Sequence, residues 1–131
     1  MSLSTFPDLK THFNTLLSLP SVSSANSNID TSNKAVIDYL AQCFTDLGFS
    51  CEIVESPSDS SEKKFNLVAT LGTGDQGLVL SGHTDTVPLN EELWSMNPFQ
   101  LTEKDDRFYG LGSTDMKGFF AVAIEAVKEY S

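Results

Sequence analysis

The sequence predicts an α/β protein with a three-layer sheet that carries helices on both faces. Patterns with helical spacing alternate along the chain with short runs of strand-forming residues. The runs at 65–71 and 78–81 are apolar on both sides, which is typical of strands covered on both faces. The last helical segment is also apolar on more than one side, so further structure is expected to cover it.

The first predicted helix runs from Thr5 to Leu19. Thr5 is the expected N-cap, apolar residues recur at three- and four-residue spacing, and Pro20 ends the helix. The segment 21–28 is rich in Ser and Asn and therefore predicts a loop.

The second predicted helix runs from about Thr31 to Leu47. Gly48 is expected at the C′ position that follows its cap. Cys43 of this helix and Cys51 of the strand that follows could form a disulfide, but buried free thiols of a cytoplasmic protein are the favoured interpretation.

Three strands are expected next, at Phe49–Glu55, Phe65–Leu71 and Leu78–Ser81. The glycine-rich segment 72–77 between the last two matches the G-x-G-x-x-G pattern of dinucleotide-binding loops. That pattern requires a helix directly after it, whereas a strand is expected here. The segment is therefore interpreted as a turn.

The last third of the chain predicts a hairpin and one more helix. Strands at Phe99–Thr102 and Arg107–Tyr109 are expected to pair across a turn at Asp105-Asp106. The final helix is expected to begin near Met116 or Lys117.

Composition narrows the possible partners. Of the 131 residues, 40% are hydrophobic and 20% are charged, as in globular proteins. The formal net charge is −10 with only eight Lys and Arg, so no basic patch can neutralise phosphates, and nucleic acid is not an expected partner. No membrane is expected as a partner either, because no apolar run reaches bilayer length. The first residues lack the pattern of a signal peptide, so a cytoplasmic location is expected.

The segment 78–88 runs from an apolar stretch directly into His83, Thr84 and Asp85. Side chains alternate in an extended segment, so His83 and Asp85 should lie on one side. An imidazole and a carboxylate there suit a metal ion, with the carboxylate either a ligand or the partner of the other imidazole N–H. The alternative is a surface histidine and a turn aspartate before Pro88.

Asp115 is the second candidate, because it directly precedes the last predicted helix after two glycines, Gly110 and Gly112. Taken alone, Asp115 would be interpreted as a helix N-cap. Its pairing with His83 favours a metal site, because a carboxylate can bridge the two ions of a two-metal hydrolase. A catalytic zinc needs about three protein ligands, so these two residues form an incomplete site.

Three other candidates are set aside. His12 lies in the first predicted helix and is expected to be a packing or solvated residue. Glu91 and Glu92 resemble an acid–base pair but lie in a polar loop, where solvated side chains are the better interpretation. Ser81 lacks the G-x-S-x-G pattern of a nucleophile.

The segments 82–88 and 109–121 together resemble the co-catalytic zinc amidohydrolases of the aminoacylase and carboxypeptidase type. Supporting similarity extends through 46–49, 64–67, 94–102 and the first two helices. Within this family, residues 85–88 and 110–112 are closer to the branch that deacetylates N2-acetyl-ornithine in arginine biosynthesis. The succinyl-diaminopimelate desuccinylases tend to read Asp-Val-Val-Pro and Gly-Arg-Gly at these places.

The resemblance implies that residues 1–131 form the N-terminal part of a di-zinc exopeptidase-like catalytic domain. It makes His83 and Asp115 metal ligands, with Asp115 bridging two ions and followed by a cis peptide bond. It gives Asp85 the catalytic role of orienting the His83 imidazole. The implied cofactors are two Zn²⁺ ions, with Co²⁺ as an alternative. The implied substrate is an N-acyl amino acid, and the full-length enzyme is expected to be a homodimer.

The resemblance also implies what these 131 residues lack. The general-base glutamate, further metal ligands and the dimerisation domain of such enzymes lie downstream and have no counterpart here. The chain alone is therefore expected to be inactive and to bind metal weakly. The other open interpretations are a succinyl-diaminopimelate desuccinylase or related metallo-exopeptidase, and a non-catalytic module that keeps the fold.

Overall fold

The computed structural model describes residues 5–130, which form three α-helices, two pairs of strands and one short 3-10 helix. In chain order these are α1 (Leu9–Ser18), α2 (Lys34–Asp46), β1 (Ser50–Ser56), β2 (Lys64–Thr70), the 3-10 helix (Glu91–Leu93), β3 (Thr102–Lys104), β4 (Arg107–Tyr109) and α3 (Lys117–Lys128). The mixture confirms the predicted α/β class. None of these helices between residues 5 and 130 is long and apolar enough to cross a membrane.

Helix α1 begins at Leu9, later than predicted, because Asp8 and not Thr5 is its N-cap. The Asp8 carboxylate accepts the Thr11 N–H at 2.8 Å and so satisfies a free donor of the first turn. The prediction of Thr5 was wrong because Phe6 was counted within the helical pattern. Phe6 instead packs against the core from the segment before the helix.

Helix α2 begins at Lys34, three residues after the predicted start. The side chain of Asn33, just before it, bonds to both backbone groups of Phe65 at 2.8 Å. These two bonds fix the start of α2 against β2. The end of the helix is as predicted, with Gly48 in the left-handed conformation at a φ of +88°.

Both strand pairs are antiparallel. Strands β1 and β2 pair along all seven residues of each strand. Strands β3 and β4 form the predicted hairpin, although β3 begins at Thr102 and not at residue 99. Its turn residues Asp105 and Asp106 have φ values of +52° and +57°, which suit a tight two-residue turn.

The strand predicted at 78–81 is wrong. These residues pair with no strand in the described part of the chain, and Leu78 and Val79 are 86% and 85% exposed. A β-strand is stabilised by a hydrogen-bonded neighbour and by packing of its faces, whereas its sequence specifies only a preference. The segment instead lines a cleft of about 1120 Å³ together with β2, Phe119 and Phe120, which we call the β2 cleft.

The core lies where the three helices meet. Its buried members are Phe13, Leu16, Val36, Leu40, Cys43, Leu47, Ala121 and Ile124. His12 is fully buried beside them, with Nδ1 2.7 Å from the hydroxyl of Tyr39, so the expectation that it is a packing residue is confirmed. Cys43 and Cys51 are free, and Cys51 is only half-buried.

Acid should destabilise this core through His12. Burial lowers the pKa of His12, and its Nε2 has no hydrogen-bond partner within residues 5–130. Because the folded-state pKa lies below the unfolded value, the unfolded chain takes up the proton first, and stability falls as pH drops below about 6.5. Each unit of pKa depression costs about 1.4 kcal/mol once the pH is below both values.

The free energy of unfolding, measured between about pH 5 and pH 7.5, checks this expectation. As the pH is lowered through this range, we expect the free energy of unfolding of the wild-type chain to fall. In the His12→Gln variant it should fall much less. His83→Gln is the matched control, because His83 is exposed. Equal losses in the wild-type chain and in His12→Gln would contradict the prediction.

Candidate metal centre

Residues 83–86 alternate between exposed and buried side chains. Thr84 and Thr86 are buried, at 8% and 3% exposure, whereas His83 and Asp85 are exposed. This is the alternation of an extended segment. It places His83 and Asp85 on one side, as the spacing predicted.

The buried side of this segment is anchored by polar contacts. Ser21 Oγ donates to the Thr84 carbonyl at 2.6 Å, and the Thr86 N–H donates to the Ser21 carbonyl at 2.9 Å. Asn33 Nδ2 donates to Thr84 Oγ1 at 2.9 Å. A parallel bridge between Val22 and Thr86 completes the attachment. The segment that presents His83 is therefore held by the residues that follow α1 and precede α2.

The His83 imidazole lies between two carboxylates. Its Nδ1 is 3.1 Å from the Asp85 carbonyl oxygen and 3.2 Å from Asp85 Oδ1, whereas its Nε2 is 3.1 Å from Asp115 Oδ1. Both neighbours of Nδ1 are acceptors, so the proton of a neutral imidazole belongs on Nδ1. Nε2 then directs a lone pair at a carboxylate oxygen, and a cation shared by the two atoms would stabilise this arrangement.

A closed loop between β4 and α3 carries Asp115. The Gly118 N–H donates to the Gly112 carbonyl at 2.9 Å, and Gly112 has a φ of +89°, which favours glycine. The peptide bond from Asp115 to Met116 is cis, as the resemblance implied. The N-cap of α3 is Met116, and no side chain caps it. Asp115 therefore does not act as a helix cap, and its side chain is 78% exposed beside His83.

His83 and Asp115 fit a shared divalent cation. Nitrogen and oxygen ligands of a tetrahedral zinc, each at about 2.0–2.2 Å, stand about 3.4 Å apart, close to the 3.1 Å that separates Nε2 from Oδ1. The ligand set is incomplete, because residues 5–130 contain no group of three or more His, Cys, Asp or Glu side chains that could hold a metal.

Of the two motifs that were not assigned to the site, the segment 72–77 lines the same cleft as His83 and Asp85, whereas Glu91 and Glu92 do not line it. Glu91 and Glu92 are exposed on the short 3-10 helix and make no ion pair among the described residues. The glycine-rich segment 72–77 is a turn after β2 and is not followed directly by a helix. The strand expected after 72–77, which was the reason for interpreting the segment as a turn between strands, does not form.

Sequence reasoning missed Lys117, the first residue of α3. Its side chain is 1% exposed, and its Nζ donates to the Leu19 carbonyl at 3.0 Å. Burial lowers the pKa of Lys117 to about 8. The available signal was its position in the helix, because it shares the buried face of α3 with Ala121 and Ile124, four and seven residues later.

The chain resembles known proteins in the region of this constellation. The sequence profile described as "Peptidase family M20/M25/M40" matches residues 79–131, which include His83, Asp85 and Asp115. Over 123 residues, the chain is 48% identical to an acetylornithine deacetylase of Pasteurella multocida and 50% identical to one of Aliivibrio fischeri. Each match covers 94% of this chain and 32% of the relative, so the chain spans about a third of the length of these relatives.

A solved structure shares the fold. The crystal structure of human carnosine dipeptidase 1 superimposes with a TM-score of 0.77 and 23% sequence identity. The superposition covers 93% of this chain and 28% of the dipeptidase. The fold of this chain is therefore similar to part of a much longer chain.

Proposed function

We propose that this chain is the N-terminal portion of a catalytic domain that hydrolyses the amide bond of N2-acetyl-ornithine. Its residues 79–131 match the sequence profile of peptidase family M20/M25/M40. Water is consumed, and ornithine and acetate are released, as a step of arginine biosynthesis in the cytoplasm. The observation that carries the proposal is the His83 imidazole held between Asp85 and Asp115 within the matched segment. The identity to two acetylornithine deacetylases over most of the chain supports the substrate.

In this proposal His83 and Asp115 hold two divalent cations, and Asp85 orients the imidazole. Asp85 keeps the proton on Nδ1, which leaves Nε2 free as a ligand. Asp115 has two exposed oxygens with which it can bridge two ions. The donor set suits Zn²⁺, with Co²⁺ as an alternative. When bound, the metal ions lower the pKa of water and polarise the acyl carbonyl.

The general base and the remaining ligands are proposed to come from further polypeptide of the same catalytic domain. The β2 cleft supports this, because Leu78 and Val79 beside it are almost fully exposed, and apolar surface of this kind marks an interaction site. We propose that additional strands cover this cleft in the full-length protein. A homodimer of the full-length protein and the absence of nucleic-acid or membrane partners complete the proposal.

The test joins this chain to the part of the Pasteurella multocida relative that follows its matched 123 residues. A second fusion carries the corresponding part of a succinyl-diaminopimelate desuccinylase. With Zn²⁺ or Co²⁺ present, we expect the deacetylase fusion to release acetate from N2-acetyl-ornithine and to lose this activity when the metal is chelated. The 131-residue chain alone should bind metal weakly, because further ligands are needed. It should show no turnover, because it lacks a general base.

The two fusions separate the candidate functions. Activity of the desuccinylase fusion on its own substrate, with a silent deacetylase fusion, would assign the chain to the desuccinylases. If both fusions fold and neither hydrolyses N2-acetyl-ornithine, succinyl-diaminopimelate or dipeptides, the chain is a non-catalytic module. Measurable turnover by the isolated chain would contradict the claim that its site is incomplete.

A further inference from the structure

We propose that Lys117 is a positioning residue that fixes Asp115 against His83. The proposal rests on the proposed function, because it assigns a role within the same metal site. Lys117 is 1% exposed although it lies only two residues after the exposed Asp115. Burying an ammonium group costs free energy unless hydrogen bonds compensate it. The fold therefore maintains the contact between Lys117 and the Leu19 carbonyl although burial of the ammonium group costs free energy.

The loop that carries Asp115 packs around the lysine side chain. A Cβ atom on Gly112 would lie 3.1 Å from Cε of Lys117 and 3.1 Å from Cγ2 of Thr86. The lysine stem therefore runs directly beside the loop backbone and beside the extended segment that carries His83 and Thr86. The bond from the Gly118 N–H to the Gly112 carbonyl closes the loop around it.

The acceptor of the lysine belongs to the segment that anchors His83. Leu19 is the C-cap of α1, and two residues later Ser21 bonds to the backbone of both Thr84 and Thr86. The segment 19–21 therefore contacts Lys117 at one end and the residues next to His83 at the other. We infer that this chain of contacts sets the 3.1 Å separation between His83 Nε2 and Asp115 Oδ1.

Lysine suits this role because its stem is long and its ammonium group is a donor. An apolar side chain of similar length, such as methionine, would fill the same space without tying the loop to Leu19. A methionine here removes the cost of burying the ammonium group, but it also leaves the Leu19 carbonyl without this donor. A methionine at this position thus removes the positioning contact without a matching loss of packing.

The test measures Zn²⁺ binding by the full 131-residue chain, followed through the ¹⁵N resonances of the His83 imidazole. We expect Lys117→Met to weaken Zn²⁺ affinity about 10- to 100-fold, as the loss of groups that orient metal ligands does. Its thermal midpoint should change little, because the desolvation cost of the ammonium group and the hydrogen bond to Leu19 are removed together. Lys117→Arg, which keeps a donor, should recover part of the affinity. Lys63→Met is the matched control, because the Lys63 side chain is 66% exposed and pairs with Glu55.

Equal Zn²⁺ affinity in Lys117→Met and the wild-type chain would overturn the proposal, as would a loss explained by the unfolded fraction alone. If the methionine variant does not fold, the wild-type chain supplies the readout. Its Lys117 ammonium should exchange protons slowly and show scalar coupling to the Leu19 carbonyl, and a rapidly exchanging ammonium would overturn the proposal. A wild-type chain whose His83 does not respond to Zn²⁺ overturns the metal site itself, which is a distinguishable result.

Discussion

Replacing Gly118 by alanine is expected to lower the free energy of unfolding of this chain by about 3 kcal/mol, at the upper end of the cost of overpacking a core. Gly118 is buried in the first turn of α3. An added Cβ atom would overlap the Ser113 carbonyl oxygen and lie 2.6 Å from Cε1 of Phe13. Ser113 belongs to the backbone of the Asp115 loop, so the clash cannot be relieved by a change of rotamer. Either the loop or the packing of α3 against α1 must shift.

Gly77→Ala is the matched control for this substitution. Gly77 has nothing within 4 Å of the position its Cβ would occupy, and its side of the turn is open. We expect chemical denaturation, followed by circular dichroism, to give Gly77→Ala the wild-type midpoint and Gly118→Ala a much lower one. If the two variants have equal midpoints, the close approach of α3 to the Asp115 loop is wrong.

Local signals in the sequence were sufficient for the elements that depend on near neighbours. The end of α2 at Gly48 and the turn at Asp105-Asp106 both require a positive φ, and residue type reports that requirement directly. The start of α1 was misplaced because Thr5 and Asp8 are both good caps. Only the packing of Phe6 outside the helix decides between them.

The strand expected at 78–81 failed for a different reason. Its apolar residues, of which Val79 is β-branched, favour an extended backbone, but a strand also needs a partner, and the described residues supply none beside it. The missing neighbour also explains why the apolar side chains of Leu78 and Val79 are so exposed along the β2 cleft. The composition of residues 78–81 indicates an extended backbone, but whether these residues form a strand depends on residues outside this segment.

In the candidate site, too, some features depend on neighbouring residues and others depend on residues far away in the sequence. The period-two alternation of an extended segment was enough to place His83 and Asp85 on one side, because that rule involves only neighbouring residues. The approach of Asp115 to His83 spans 32 positions in sequence and was inferred from the pairing of two motifs. The burial of Lys117 depends on the end of α1, 98 positions away, and nothing in its local sequence specifies that contact.

In the deacetylase fusion, Asp115→Asn is expected to lower kcat/KM by at least about a thousandfold, which corresponds to about 4 kcal/mol of transition-state stabilisation. An amide cannot bridge two cations as a carboxylate does, and zinc content should fall with activity. Asp85→Asn should lose only about 10- to 100-fold, because Asp85 acts through the orientation of His83. Glu92→Gln, in the exposed 3-10 helix, is the control and should be unchanged.

The order of the three losses in kcat/KM distinguishes the proposed roles. Replacing a metal ligand, an orienting group or a solvated surface group should lower kcat/KM by different amounts. Steady-state kinetics and metal analysis of the same protein preparations provide the comparison. A larger loss in Asp85→Asn than in Asp115→Asn would exchange the two roles and make Asp85 the ligand. Equal, small losses in all three variants would remove this constellation from the chemistry. Loss of zinc with retained activity in Asp115→Asn would show that the hydrolysis does not depend on the zinc that Asp115 binds.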